Sequence, residues 1–227
     1  MIFKQVFDKK SSTYTYLIAS SIGREALIID PVLENVEDYI KLLNELDLRL
    51  VKVIDTHIHA DHITGASKLK DKTKCVTIMG DHTPADAVEI KVKDEGIIEL
   101  DELKISALYT PGHTSDSFSF LMNNYLFSGD TLLINGTGRT DFQNGNAKDA
   151  YNSIFNRILK LPDETLLYPA HDYKGELVST IGKEKKFNPR LQVNNVDEYV
   201  KIMNNLDLKK PIAIDLNVAS NLKLGAI

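Results

Sequence analysis

Apolar positions in the first half of this chain fall in short alternating or continuous runs broken by turn residues, which predicts strands. Met1–Asp8 reads as a first strand, and Tyr14–Ser20 and Glu25–Asp30 as a hairpin turning at Ser21–Arg24. After Asp30-Pro31 the pattern changes period. Val36, Ile40, Leu43 and Leu46 recur at helical spacing with Lys and Glu between them, the signature of an amphipathic helix lying on a sheet. Leu50–Asp55 is the next strand, a short helix is expected from Ile63 to about Lys70 with Asp61 as its N-cap, and Cys75–Met79 is again a strand.

A second block repeats the alternation. Val88–Val92, Ile97–Leu100, Lys104–Tyr109 and Ser117–Met122 read as strands, and Asn123-Asn124 is a tight turn into Tyr125–Phe127. Tyr151, Ile154, Phe155, Ile158 and Leu159 mark a helix ending before Pro162, Thr165–Tyr168 is the last well-marked strand, and helices are expected at about 176–185 and 196–205. Two mixed blocks of strands and helices suggest two sheets face to face with helices outside, an αββα sandwich, although periodicity alone does not select it over another layered α/β fold.

Composition narrows the picture. The 227 residues are 43% hydrophobic and 26% charged, enough for one large domain with a buried core. We expect a single domain over 1–227, with a short C-terminal extension of about 175–227 packing on it. A net charge of −5 argues against nucleic acid as a partner, one cysteine allows no intrachain disulfide, and no stretch has the length of a membrane span. A soluble, cytoplasmic protein is expected. Cys75, in an apolar run, is expected to be a buried, inert thiol, and His82 a surface loop residue.

Chemistry enters at Thr56-His57-Ile58-His59-Ala60-Asp61-His62, where three of the six histidines stand with a carboxylate directly after a strand. Imidazole and carboxylate are ligands for zinc and iron, and an i, i+2 pair on extended backbone puts both rings on one side. Three later loops repeat the device. His113 follows Pro111-Gly112, where proline presets the turn and glycine admits a positive φ; Asp130 sits in Ser128-Gly129-Asp130; His171 sits in Pro169-Ala170-His171-Asp172-Tyr173. Each of these follows a predicted strand, and together with the first cluster they take up five of the six histidines.

THIHADHITG resembles the HxHxDH signature of the metallo-β-lactamase superfamily, and PGHT, SGD and PAHDY resemble its later ligand motifs in the same order. Within the superfamily, GRTDFQ at 138–143, PAHDY at 169–173 and NPRL at 188–191 resemble the persulfide dioxygenases, and the similarity runs through nearly the whole chain. It implies the αββα fold and one Fe(II) per chain bound by His57, His113 and Asp130, with open positions for a sulfur substrate and for dioxygen. His59, Asp61, His62 and His171 would then orient ligands or donate to bound water or substrate. The implied reaction takes glutathione persulfide, or a similar thiol persulfide, with O2 and water to the free thiol and sulfite. A homodimer is an assembly that relatives often form.

Tyr173 and Arg190 align with the family's substrate contacts, and guanidinium and phenol suit the carboxylates of a tripeptide. Arg139 is either a third contact or a structural ion pair with Asp141. The resemblance implies cysteines in some relatives where this sequence has Thr137, Asn146 and Leu224. The same ligands also fit two zinc ions, with His57, His59 and His113 on one, Asp61, His62 and His171 on the other, and Asp130 bridging. That arrangement would make the chain a hydroxyacylglutathione hydrolase of the glyoxalase II type. A non-catalytic metal or thiol sensor is a third reading, which the complete ligand set disfavours.

Overall fold

The computed structural model describes residues 1–210 and 213–226. Strands β1 (Ile2–Asp8), β2 (Thr13–Ala19), β3 (Glu25–Ile29), β4 (Arg49–Ile54), β5 (Val76–Gly80) and β6 (Ile90–Val92) form one sheet in that spatial order. β1 to β3 pair antiparallel and β3 to β6 parallel, the parallel part being crossed by α1 (Val36–Glu45) and α2 (Ala66–Thr73).

The second sheet is built from β7 (Ile97–Leu100), β8 (Leu103–Tyr109), β9 (Phe118–Met122) and β10 (Tyr125–Gly129), which pair antiparallel in sequence. β11 (Leu132–Leu133) and β12 (Gly136–Thr137) make a small separate hairpin, and α3 (Ala147–Asn156) leads to β13 (Leu166–Pro169), parallel to β10. β14 (Ser179–Thr180) closes that edge, and α4 (Ile181–Phe187), α5 (Val196–Asn204) and α6 (Ile214–Asn221) follow.

Strand alternation divides the core. On β2, Tyr14, Tyr16 and Ile18 face the other sheet, where they meet Phe118, Phe120 and Phe127, while Leu17 and Ala19 meet Tyr39 and Leu43 of α1. On the far side Leu126 and Leu167 pack against Ile154 of α3, Ile181 of α4 and Tyr199 and Met203 of α5. The result is the expected αββα sandwich. No helix among the described residues is long and apolar enough to cross a membrane.

Three local expectations need correction. α2 begins at Ala66 with Gly65 before it, not at Ile63, and Asp61 does not cap it. Residues 63–65 are held in another conformation, because the Ile63 carbonyl accepts from Leu33 N, Thr64 bridges to Val32, and Gly65 N donates to the Pro31 carbonyl. The helix expected at 176–185 is α4, starting at Ile181, since Ser179 and Thr180 pair with β13 instead. β13 is therefore not the last strand, and α6 was not anticipated.

Candidate metal centre

The three loops that follow β4, β8 and β10 converge, with His57 from the first sheet and His113 and Asp130 from the second. One ligand atom from each of these three lies within 4.8 Å of the others, and the same holds for His59, Asp61 and His62. His171, at the end of β13, turns Nε2 toward Asp61 Oδ2 at 3.4 Å and Asp130 Oδ2 at 3.6 Å. All five histidines predicted as site residues therefore meet, whereas His82 stacks on Tyr109 at the surface.

Each of the five has one ring nitrogen committed to an acceptor, which fixes the nitrogen left over. Asp30 can only accept, so the Thr56 hydroxyl donates to it and in turn accepts from His57 Nδ1 at 3.0 Å. His59 Nε2 donates to Asp30 Oδ1 at 3.1 Å and His62 Nδ1 to Asp61 Oδ2 at 2.9 Å. His113 Nδ1 donates to the Arg139 carbonyl at 2.7 Å and His171 Nδ1 to the Ser12 carbonyl at 3.0 Å. His113 Nε2 is thereby free, 3.4 Å from Asp130 Oδ2.

The donor set fits a metal ion. Among the described residues, three buried side-chain atoms lack a hydrogen-bond partner: His59 Nδ1, His62 Nε2 and Asp130 Oδ1. All three belong to this cluster, and each would cost about 1–3 kcal/mol if left unsatisfied. Burial and the neighbouring His59 and His113 rings hold His57 well below the usual imidazole range, so it is neutral and able to ligate. Burial also disfavours charge on His59 and His171, but Asp30 and Asp55 beside the first, and Asp130 and Asp61 beside the second, outweigh it and hold both well above that range. Burial opposes charge on Asp61 too, and His171 and His62 reverse that, holding it well below the usual carboxylate range.

The turns behave as the sequence predicts. Gly112 has φ of 138°, and a Cβ there would lie 2.3 Å from the backbone of Ala150 in α3. At Gly138 a Cβ would lie 2.1 Å from the Asp130 carbonyl oxygen and 2.8 Å from His113 Nδ1, so only glycine lets this loop pass behind the ligands.

A cavity of about 560 Å³ opens beside the cluster, lined among others by His113, Asp130, His171, Tyr173 and Arg190. Tyr173 is 72% exposed and its ring stacks on that of His171. Arg190 is half-buried, and its Nη1 donates to the Thr137 carbonyl. Arg139 also lines the cavity, but its guanidinium makes a bidentate pair with Asp141 at 2.6 and 2.7 Å, donates to the Lys209 carbonyl and lies over the Phe142 ring. The ion pair considered from sequence is thus formed.

Thr137 accepts from Tyr199 and Arg190, the Asn146 side chain caps α3, and Leu224 is buried. Cys75 is buried just before β5, and burial raises its thiol.

Sequence reasoning missed the groups behind the ligands. Asp30, at a left-handed φ of 50°, holds Thr56 N, Thr56 Oγ1 and His59. Asp55 binds the Thr64 hydroxyl, Asp116 accepts from Ile58 N at 3.0 Å, and Asn221 reaches the first ligand loop from α6. Their only signal was position, with Asp30 and Asp55 each directly after a strand.

A family profile for the metallo-beta-lactamase superfamily matches residues 9–171. The mitochondrial persulfide dioxygenase ETHE1 of Homo sapiens is 42% identical, covering 99% of this chain and 89% of its own. The crystal structure of ETHE1 from Myxococcus xanthus superposes with a TM-score of 0.97 at 46% identity, covering 100% of both chains. A hydroxyacylglutathione hydrolase of Dictyostelium discoideum is 33% identical over 70% of this chain and 62% of its own.

Proposed function

The chain belongs to the persulfide dioxygenase family of the metallo-beta-lactamase superfamily, and on that premise we propose that it oxidises glutathione persulfide, or a similar low-molecular-weight thiol persulfide, using one Fe(II) per chain. The overall conversion is persulfide, O2 and water to free thiol, sulfite and two protons. The observation that carries the reading is the convergence of His57, His113 and Asp130, two imidazoles and one carboxylate of the kind that holds non-haem iron with positions left open. When bound, the iron supplies redox chemistry between a sulfur ligand and dioxygen that zinc does not.

The protein's own groups do the rest. Thr56 and the Arg139 carbonyl keep His57 and His113 in the tautomers that leave Nε2 free. His171, whose Nδ1 donates to the Ser12 carbonyl, keeps Nε2 toward Asp61 and Asp130, where with iron bound it would accept a proton beside the substrate. Arg190 and Tyr173 line the cavity where the carboxylates of the thiol carrier would lie. Arg139, paired with Asp141, shapes the cavity wall.

One observation favours a second reading. His59, Asp61 and His62 form a further ligand cluster, and His59 Nδ1 and His62 Nε2 are unpartnered among the described residues, which suits a second ion and the two-zinc thioester hydrolase chemistry of glyoxalase II. Elemental analysis of anaerobically purified protein, with an oxygen electrode and sulfite assay on glutathione persulfide, separates them. About one iron per chain with oxygen uptake supports the dioxygenase. Two zincs per chain and turnover of a glutathione thioester without oxygen uptake refute it.

A further inference from the structure

The first ligand loop, residues 56–65, has neither helix nor strand, so its buried peptide groups need partners from elsewhere. Side-chain amides supply several. Gln143 Nε2 donates to the Ile58 carbonyl at 2.6 Å and Asn217 Nδ2 to the Ala60 carbonyl at 2.9 Å. Asn221 does more, donating from Nδ2 to both the His59 and His62 carbonyls at 2.8 Å and accepting from Thr64 N at 2.9 Å. One carboxamide spends both its N–H groups and a lone pair on a single loop.

The rest of α6 fits this use. Its buried residues are Ile214, Asn217 and Asn221, so two of the three present amides where a helix serving only to cover the sheet would present apolar groups. Just beyond it, Ser67 N donates to the Leu224 carbonyl at 3.0 Å, and a Cβ at Gly225 would lie 2.0 Å from the Thr64 carbonyl oxygen. This loop carries the only one of the three iron ligands that comes from the first sheet, so its seat sets where His57 stands against His113 and Asp130.

We propose that Asn221, supported by Asn217 one turn earlier, is a positioning residue of the metal centre, and that α6 is part of that centre. This rests on the reading that His57, His113 and Asp130 hold the metal. The test uses the full chain and Fe(II) alone as probe, following anaerobic transfer of iron to a chelator below the melting temperature. Asn221→Asp keeps size and the acceptor but loses both donors, and should release iron roughly 10–100-fold faster, the usual effect of losing a group behind a ligand. Asn217→Ala should act in the same direction, more weakly.

Unchanged release from folded Asn221→Asp overturns the proposal, as does a lowered melting temperature with unchanged release, since that is what a purely structural helix would give. If Asn221→Asp fails to fold, Asn217→Ala decides, and wild-type release from it overturns the proposal. If the wild-type chain holds two zincs and turns over a glutathione thioester without oxygen uptake, the functional reading fails by itself, and the same release measurement is made with zinc.

Discussion

His113 donates its Nδ1–H to the carbonyl of Arg139 at 2.7 Å, so the loop that walls the cavity also decides which imidazole nitrogen faces Asp130. Gly138 makes the approach possible. In Gly138→Ala the new Cβ would meet the Asp130 carbonyl oxygen and His113 Nδ1 at distances no side chain tolerates, forcing the loop away from both ligands. Iron per chain should fall with activity, by roughly 10–100-fold in affinity, as measured by anaerobic titration with a competing chelator. Full iron content at wild-type affinity would show that this loop does not fix His113.

Asp130 is the only carboxylate of the triad, and its Oδ1 is buried without a partner among the described residues. Asp130→Ala should therefore abolish both iron content and oxygen consumption. A variant that keeps iron and turns over glutathione persulfide would remove Asp130 from the centre.

Arg190 and Arg139 should separate kinetically. Arg190 spends Nη1 on Thr137 and faces the cavity, so Arg190→Ala should raise KM more than it lowers kcat. Arg139 is committed to Asp141 and to the Lys209 and Leu208 carbonyls, so Arg139→Ala should cost more stability than Asp141→Ala and leave KM unchanged. An Arg139→Ala variant with raised KM and unaltered stability would make Arg139 a carrier contact.

The cluster was legible because histidine is scarce here and its residues sit in loops that follow apolar strands. What stands behind them was not. Asp30 and Asp55 look like ordinary residues at strand ends, and only the folded sheet turns them onto His59. α6 is not legible in sequence because its buried face carries Asn217 and Asn221, which break the apolar stripe that marks a helix. α2 starts later than its sequence suggests because Asp61, a good N-cap by type, is bound by His62 and Thr13 instead.

Glu184 tests the support of the cavity wall. Completely buried, it accepts from Asn135 N at 2.8 Å, from Asn188 Nδ2 at 2.9 Å and from the Ser179 hydroxyl, while Asn188 Nδ2 also donates to the Gly136 carbonyl at 2.9 Å. The asparagine of the NPR sequence is thus structural and holds the β11–β12 hairpin. Glu184→Ala would strand these donors at about 1–3 kcal/mol each. Urea unfolding should show a loss of that order or more, and a change within about 0.5 kcal/mol would mean the network carries no net stability.

Charge in the metal-free centre gives a pH dependence of known sign. Burial opposes protonation of His171, but Asp130 and Asp61 hold its folded pKa well above the unfolded value near 6.5. Such a group stabilises the fold fully below about pH 6.5, and that stability is lost as pH rises through the folded pKa. The metal-free protein should therefore melt progressively lower as pH climbs from about 6.5. A divalent cation beside His171 opposes its proton, so iron uptake near neutral pH should release protons and weaken as pH falls. Calorimetry of iron binding in buffers of differing ionisation enthalpy measures that release. Binding heats independent of buffer would show that His171 carries no proton for the metal to displace.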